Sequence, residues 1–428
     1  MRTSIDRRTF LKAVGSTAAL APLAALGGCG IPRARVVVIG GGFGGATAAR
    51  YLRMWDPGIQ VTLVERGRTF RSCPMSNLVL TGHRQSHQLE HGYEALERLG
   101  VTLVHDDAMA VYPESGSGQG LVRLAGGGDL EYDRLIVSPG IDFVFDDIVG
   151  CEAAIEAGQV FHAWRPGPQT VGLRDQLEAM EDGGVYVLTI PPMPYRCPPG
   201  PYERASLVAD YFQRAKPRSR VLVFDANPDL VSKGELFRTT WEERYSDILE
   251  YIPDTGPGRI DGSSLTVDID GEAVQADVLN VIPPQRAGEI ASRAGLLTEN
   301  GRWCGVDWRT CESLAVPNIH VLGDATASAP GMPKSGHMAN AQAKVCASAV
   351  VALLNGRSPD PEPILTNTCY SFVSGLEAMH VASVHRWDRE RTTVTPVPEA
   401  AGLSVAPSED EAIHAWSWAR NIWGDSVG

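Results

Sequence analysis

Two groups of residues in this chain have the types and spacing to do chemistry. Gly40, Gly42 and Gly45 stand at the G-x-G-x-x-G spacing. In that pattern the first glycine allows a tight turn, the second lets the backbone approach a pyrophosphate, and the third lets a helix lie close to a strand. Free N–H groups at the start of the following helix complete an anion site. Glu65 comes twenty residues after Gly45, where an acid accepts the hydroxyls of a ribose. Together these residues predict a flavin or nicotinamide dinucleotide site. The second group centres on Cys197, in the run Pro191-Pro-Met-Pro-Tyr-Arg-Cys-Pro-Pro-Gly-Pro-Tyr-Glu203. It follows a predicted strand end, where α/β proteins place their sites. Of the eight cysteines, Cys151, Cys304, Cys311 and Cys346 read as small buried packing residues, although Cys304 ends the distinctive run Gly301-Arg-Trp-Cys304. His83, His87 and His91 have helix-compatible spacing, but no further ligand cluster lies near them in sequence, so no metal site is expected.

The elements that must position these residues follow from the hydrophobic pattern. Val36 to Ile39 reads as a strand, Ala46 to Arg53 as a helix and Val61 to Val64 as the next strand ending at Glu65. The loop Arg66 to Ser76 carries Cys73-Pro74, Val101 to His105 reads as a strand, and Tyr132 to Gly140 re-enters the same unit. From Phe161 a second unit begins: a helix (Thr170 to Met180), a strand (Val185 to Ile190), a helix (Tyr202 to Gln213) and a strand (Arg220 to Phe224), again in βαβ order. Its crossover carries the proline run where a nicotinamide-binding unit needs glycines. Proline has no N–H and fixes φ, so this loop does not cradle a pyrophosphate.

Asn318-Ile-His-Val-Leu-Gly-Asp324 returns to the first unit, with Asp324 placed to meet the ribityl chain of a flavin. Met332-Pro-Lys-Ser-Gly336 then opens a helix, Ala339 to Leu354, whose N-terminus is suited to an isoalloxazine ring. Lys334 and Gly336 therefore join Gly40, Gly42, Gly45, Glu65 and Asp324 as candidate cofactor-binding residues. The expected fold is α/β, with two Rossmann-like domains, the first discontinuous, and a small α+β C-terminal domain. The expected boundaries are 33–160 and 286–355 for the first domain, 161–285 for the central one and 356–428 for the last. Trp416, Trp418 and Trp423 near the C-terminus are expected to pack within the molecule.

Residues 1–28 read as an export signal. Asp6-Arg-Arg-Thr-Phe-Leu-Lys12 is a twin-arginine pattern followed by an apolar run, Ala13 to Leu26, shorter than the ~20 residues of a spanning helix. Leu26-Gly-Gly-Cys29 also fits a lipobox, with cleavage after Gly27 or Gly28 by ordinary signal peptidase as the alternative. No transmembrane segment is expected in the mature chain. The formal charge of −13 argues against nucleic acid as a partner and favours a basic protein, steered by long-range attraction.

The chain resembles the flavocytochrome c sulfide dehydrogenase flavoprotein family, within the disulfide-oxidoreductase-like flavoproteins, from about Arg35 to its C-terminus. The passages that carry the resemblance are Arg196-Cys-Pro-Pro-Gly-Pro-Tyr-Glu-Arg-Ala205, Val281-Ile-Pro-Pro-Gln-Arg-Ala-Gly288, Met332-Pro-Lys-Ser-Gly336 and Asn367-Thr-Cys-Tyr-Ser371. The resemblance implies FAD tethered through a thioether to Cys73, a redox disulfide between Cys197 and Cys369 beside the flavin, and a further active-site acid at Glu203, for which a structural role in a helix's first turn is the alternative. It also implies a periplasmic enzyme that oxidises sulfide or a related reduced sulfur compound and passes electrons to a c-type cytochrome. The flanks of Cys73, Arg71-Ser-Cys-Pro-Met-Ser-Asn77, depart from the family pattern. Competing readings are a sulfide:quinone-type reductase, which needs an apolar or basic membrane-facing segment, and an exported flavin-binding redox partner without turnover.

Overall fold

Runs of valine, isoleucine and leucine form short strands here, because a strand covered on both faces needs no polar alternation. The computed structural model describes residues 33–113 and 119–428; the twin-arginine segment and Cys29 lie outside them. In chain order the first strands are β1 (Ala34–Ile39), β2 (Ile59–Val64), β3 (Val101–Val104) and β4 (Arg134–Val137). Next come β5 (Val185–Ile190), β6 (Arg220–Asp225), β7 (Leu249–Ile252) and β8 (Val278–Val281). The short β9 (Val306–Asp307), β10 (Glu312–Ser313) and β11 (Ile319–Val321) follow. The last set is β12 (Ile364–Phe372), β13 (Ala378–Asp388), β14 (Thr393–Pro396) and β15 (Gly402–Leu403). The helices that bear on the site are α1 (Phe43–Trp55), α2 (Pro168–Ala179), α3 (Gly200–Ala215), α4 (Gly234–Arg244), α5 (Gly336–Leu354) and α6 (Glu409–Ser426).

The first sheet has the order β9-β10-β11-β4-β1-β2-β3. Its parallel centre sets Val38 opposite both Leu63 and Ile136, and β11 pairs with β4. One sheet is thus built from two distant stretches of chain. The second, parallel sheet has the order β7-β6-β5-β8, and the strand Ile141–Phe143 pairs with Gln285–Ala287 along the connection between the two units. Near the C-terminus β12, β13 and β14 form an antiparallel sheet to which β15 adds by pairing with β13.

Two features of packing fix the site. The starts of α1 and α5 lie against each other: a Cβ on Gly336 would come within 2.8 Å of the Phe43 ring, and a Cβ on Gly44 within 3.7 Å of Ala339 O. Small side chains on α5, among them Ala339, Ala343 and Ala347, are buried in the same core as Val36, Val38 and Ala49. The helix starts at Gly336, earlier than its hydrophobic pattern indicates, because the Ser335 hydroxyl accepts from Met338 N at 3.0 Å and caps it. Helix α6 is tied to the first sheet's helices by polar bonds as well as apolar ones. Asp425 accepts from Tyr51 Oη at 2.5 Å and Asn340 Nδ2 at 2.9 Å and pairs with Lys344.

Trp423 is buried, and its Nε1 donates to Ser72 Oγ at 2.9 Å. The Trp418 ring lies 5.9 Å from that of Tyr370 and 6.0 Å from His337. These tryptophans anchor the C-terminal helix within the molecule. Among the described residues, no helix is long and apolar enough to cross a membrane.

Candidate active site

The glycine turn closes as its spacing requires. Gly40 has φ of +94°, and a Cβ there would lie 2.2 Å from Ser138 O; one on Gly45 would lie 1.8 Å from Gly40 O. At Gly42 a Cβ would meet nothing within 4 Å, so the backbone at the head of α1 faces open space where an anion can approach. Glu65 stands at the end of β2, its two oxygens accepting from Gly41 N at 2.6 Å and Gly67 N at 2.8 Å. Gly40 and Glu65 line a groove of about 580 Å³ that continues along Pro139, Gly140, Arg165 and Arg196.

At the other end of this region lies Asp324. Its Oδ1 is buried and has no hydrogen-bond partner, and burial raises its pKa while Arg196 and Lys334 oppose the rise. Trp164 Nε1 and Gln285 Nε2 are further buried donors without partners. They belong to residues that bond Arg196, whose guanidinium donates to Trp164 O and whose amide donates to Gln285 Oε1 at 2.8 Å. Cys73 is half-buried. The charges that act on its thiol are Arg196, Asp324 and Arg165, although burial dominates and pushes its pKa up. An open glycine cradle, a groove leading from it, and unpartnered buried polar atoms near a cysteine suit a flavin dinucleotide.

Lys334 and Gly336 serve this region through the chain itself. Lys334 Nζ donates to Asp324 O at 3.0 Å and to Thr326 O, and lies 3.7 Å from the centre of the Trp303 ring. It thereby holds the loop that carries Asp324, and burial lowers its pKa to about 8. Gly336 provides the close approach of α5 to Phe43 described above.

The proline loop places Cys197 at the head of α3. Cys197 takes φ of +58°, a conformation costly for a side chain-bearing residue. Its N donates to Lys334 O at 2.7 Å, and its O accepts from Gly200 N at 2.8 Å. A Cβ on Gly200 would lie 2.9 Å from the Cys197 Sγ, so the sulfur sits against the first turn of a long helix, where the macrodipole favours an anion. The Trp164 ring lies against the same glycine, 2.8 Å from that Cβ, so two side chains crowd this helix start.

Cys369, on β12, comes to the same place. Its Sγ donates to Asn367 Oδ1 at 3.5 Å, and Ser335 Oγ donates to that oxygen at 2.6 Å, linking the thiol to the cap of α5. The disulfide implied by the resemblance is not formed in this structure. Both cysteines are thiols, with Cys369 held on Asn367 and Cys197 on the start of α3. They are close enough that Cys369, after burial, is the largest influence raising the Cys197 pKa. Cys369 also lines a cavity of about 390 Å³ with Tyr195, Pro198, Met332, Lys334 and Asn367.

Glu203, in the first turn of α3, accepts from Asn77 Nδ2 at 2.8 Å and Phe372 N at 2.9 Å. It ties the short helix Asn77–Leu80 and β12 to the cysteine loop. Burial raises its pKa against those bonds and against Lys233 and Arg204. Arg204 is fully buried: its guanidinium donates to Asn77 Oδ1, His162 O, Ala163 O and Asn280 Oδ1. Sequence reasoning missed Asn77, Arg204 and Lys233. Arg204 was within reach, since it adjoins Glu203 in the Cys197 motif; nothing local marks the other two.

The remaining cysteines and histidines lie elsewhere. Cys151, Cys304, Cys311 and Cys346 are buried; Cys346 packs close enough to Cys311 for their side chains to interact, and Cys311 Sγ lies 3.7 Å from Gln342 O. His83 contacts Asp210 at 3.5 Å, His91 stacks near Trp423 at 4.7 Å, and His87 is exposed. Among the described residues no group of three or more His, Cys, Asp or Glu is arranged to hold a metal.

Three family models match the chain. Residues 170–283 match the sulfide dehydrogenase [flavocytochrome c] flavoprotein chain, central; residues 361–427 match the flavocytochrome c sulphide dehydrogenase, flavin-binding model; residues 34–174 match pyridine nucleotide-disulphide oxidoreductase. The chain is 64% identical over 45 residues to the sulfide dehydrogenase [flavocytochrome c] flavoprotein chain of Chlorobaculum thiosulfatiphilum, covering 10% of this chain and 94% of that sequence. It is 22% identical over 309 residues to the mitochondrial sulfide:quinone oxidoreductase of Dictyostelium discoideum, covering 68% of this chain. The matched region spans 65% of that relative's length. The sulfide:quinone oxidoreductase structure from Aquifex aeolicus superposes with a TM-score of 0.76 at 18% identity, over 92% of each chain, which establishes the shared fold.

Proposed function

This chain belongs to the flavocytochrome c sulfide dehydrogenase flavoprotein family, and from that premise we propose that it is an FAD-dependent enzyme that oxidises sulfide at Cys197 and Cys369. The observation that carries the reading is the meeting of these two cysteines, one from the α3 loop and one from β12, at a buried site bordered by a cavity. Gly40, Gly42, Gly45 and Glu65 would hold the dinucleotide portion of FAD, and Asp324 would supply an acceptor toward its ribityl chain. FAD, when bound, accepts two electrons together and returns them singly, as a one-electron acceptor requires.

In the oxidised enzyme the two cysteines form a disulfide. Hydrosulfide enters by the cavity that Cys369 lines and attacks its sulfur; the S–S bond breaks, leaving a Cys369 persulfide and a Cys197 thiolate. The start of α3 stabilises that thiolate. Glu203, whose pKa burial raises, places a carboxyl group beside the cysteine loop, held there by Asn77 and Phe372. Cys73 would tether FAD by a thioether, which would keep the cofactor on an exported protein.

We infer that the chain leaves the cytoplasm folded by its twin-arginine signal, acts in the periplasm with or without a lipid at Cys29, and reduces a c-type cytochrome drawn to its acidic surface. The Aquifex and mitochondrial similarities favour quinone as a second electron acceptor to test. Anaerobic sulfide titration followed by flavin absorbance, with cytochrome c or a short-chain quinone added afterwards, separates the two. The proposal expects rapid reoxidation by cytochrome c and slow reoxidation by quinone; the reverse order overturns the cytochrome assignment.

A further inference from the structure

A lysine that no sequence motif marks lies beside the two cysteines. Lys233 precedes α4 in the left-handed region, with φ of +56°, and its side chain runs inward until only 7% of the residue is exposed. Its Nζ donates to Cys369 O at 2.9 Å and reaches Met379 O at 3.5 Å, so the ammonium lies against β12 and β13 where β12 carries Cys369. Among the described residues this buried ammonium bonds carbonyls alone; it has kept its desolvation cost, and such groups persist where their charge is used.

We propose that Lys233 is the counter-cation of the cysteine pair, a positioning residue whose ammonium stabilises a thiolate or persulfide anion at Cys369 and Cys197. It rests on the sulfide-oxidising reading of this site, but the property it assigns belongs to the thiols alone. The groups that face Lys233 agree in sign. Cys369, Glu203, Cys197 and Glu411 all favour its charged form, while burial lowers its pKa to about 8. Conversely, Lys233 is the largest influence opposing the burial that raises the Cys369 pKa, and at Cys197 it acts with Arg196 against Glu203. Glu411 is itself held by His380 Nδ1 and Ser404 Oγ, and Glu203 by Asn77 and Phe372, which leaves the sulfurs as the sites whose charge changes during the reaction. Below about pH 8 the ammonium is present to receive a new anion; above it, the lysine is neutral and the stabilisation is lost.

The test measures thiol ionisation directly and uses no sulfide. Reduced full-length flavoprotein, freed of reductant under nitrogen, is pulsed with iodoacetamide from pH 6 to pH 10, and labelling of Cys369 and Cys197 is read by peptide mass spectrometry. Two variants are compared with wild type: K233Q, which keeps a donor toward Cys369 O without the charge, and K233M, which keeps the apolar stem; retention of FAD shows that each has folded. The expected result is that Cys369 labelling at pH 7 slows at least tenfold in either folded variant, equivalent to a shift of one pKa unit or more, while the gap narrows above pH 9. Equal labelling of wild type and a folded variant across the range overturns the proposal. Because the readout is alkylation, a protein that shows the lysine-dependent gap yet does not react with sulfide would refute the functional reading and leave this inference standing.

Discussion

At the residue scale, Cys197 and Cys369 are separable from the cofactor site. Neither contributes to the glycine turn or the Asp324 loop, so C197S and C369S are each expected to lower sulfide oxidation at least a hundredfold while FAD stays bound. Wild-type turnover in both variants would make the pair structural. Cys73 is tested by acid precipitation: flavin should stay with the wild-type pellet and leave the C73S pellet. Free flavin in the wild-type supernatant rules out the tether.

Lys233 makes a prediction about stability as well. Its folded-state pKa, about 8, lies below the ordinary 10.5, so the folded protein gives up this proton more readily than the unfolded chain. Stability from this group is therefore present above about pH 10.5 and is lost as pH falls through that value toward 8. Relative to K233M, wild type should lose on the order of 3 kcal/mol across this window, measured by urea denaturation. Parallel curves for the two proteins would mean that Lys233 titrates normally.

At the scale of elements, the glycines of the first turn have different duties that substitution distinguishes. G42A adds a methyl to open space, so the apoprotein should melt as wild type does while, in the untethered C73S background, FAD affinity falls at least tenfold, because the methyl intrudes where the pyrophosphate approaches. G45A drives a methyl into Gly40 O, and the loss should appear as stability, about 3 kcal/mol. If G42A binds FAD normally, the cradle has been misplaced. S335A should cost about 1 kcal/mol through the lost cap of α5 and release Asn367 from its bond next to Cys369. The strands, the glycine turn and the proline loop ahead of α3 were legible in the sequence because short stretches decide them: a β-branched run, a glycine spacing, a run of prolines. The early start of α5 was not, since the cap at Ser335 outweighed the hydrophobic pattern. Nor were Asn77, Lys233 and the buried contacts of Arg204, whose partners lie in distant segments that only the folded chain brings together.

At the scale of the molecule, the two parallel sheets repeat one architecture with different duties. The first retains an open helix start for an anion; the second fills the corresponding helix start with Cys197 and Trp164. Two side chains thus crowd the helix start of the second unit, and the electrons are expected to enter from sulfide at the cysteines. The C-terminal segment contributes Cys369 and, through Trp423 and Asp425, clamps onto α1 and α5, so removing it should abolish both sulfide oxidation and stable folding.

The most direct test is the absorbance of the bound flavin under nitrogen as sulfide is added to wild type and to C369S, with NADH and NADPH added to separate samples. The account predicts that sulfide bleaches the wild-type flavin within seconds, that C369S stays yellow, and that neither nicotinamide bleaches either protein. A wild-type flavin that ignores sulfide, or that NADPH bleaches rapidly, would contradict it.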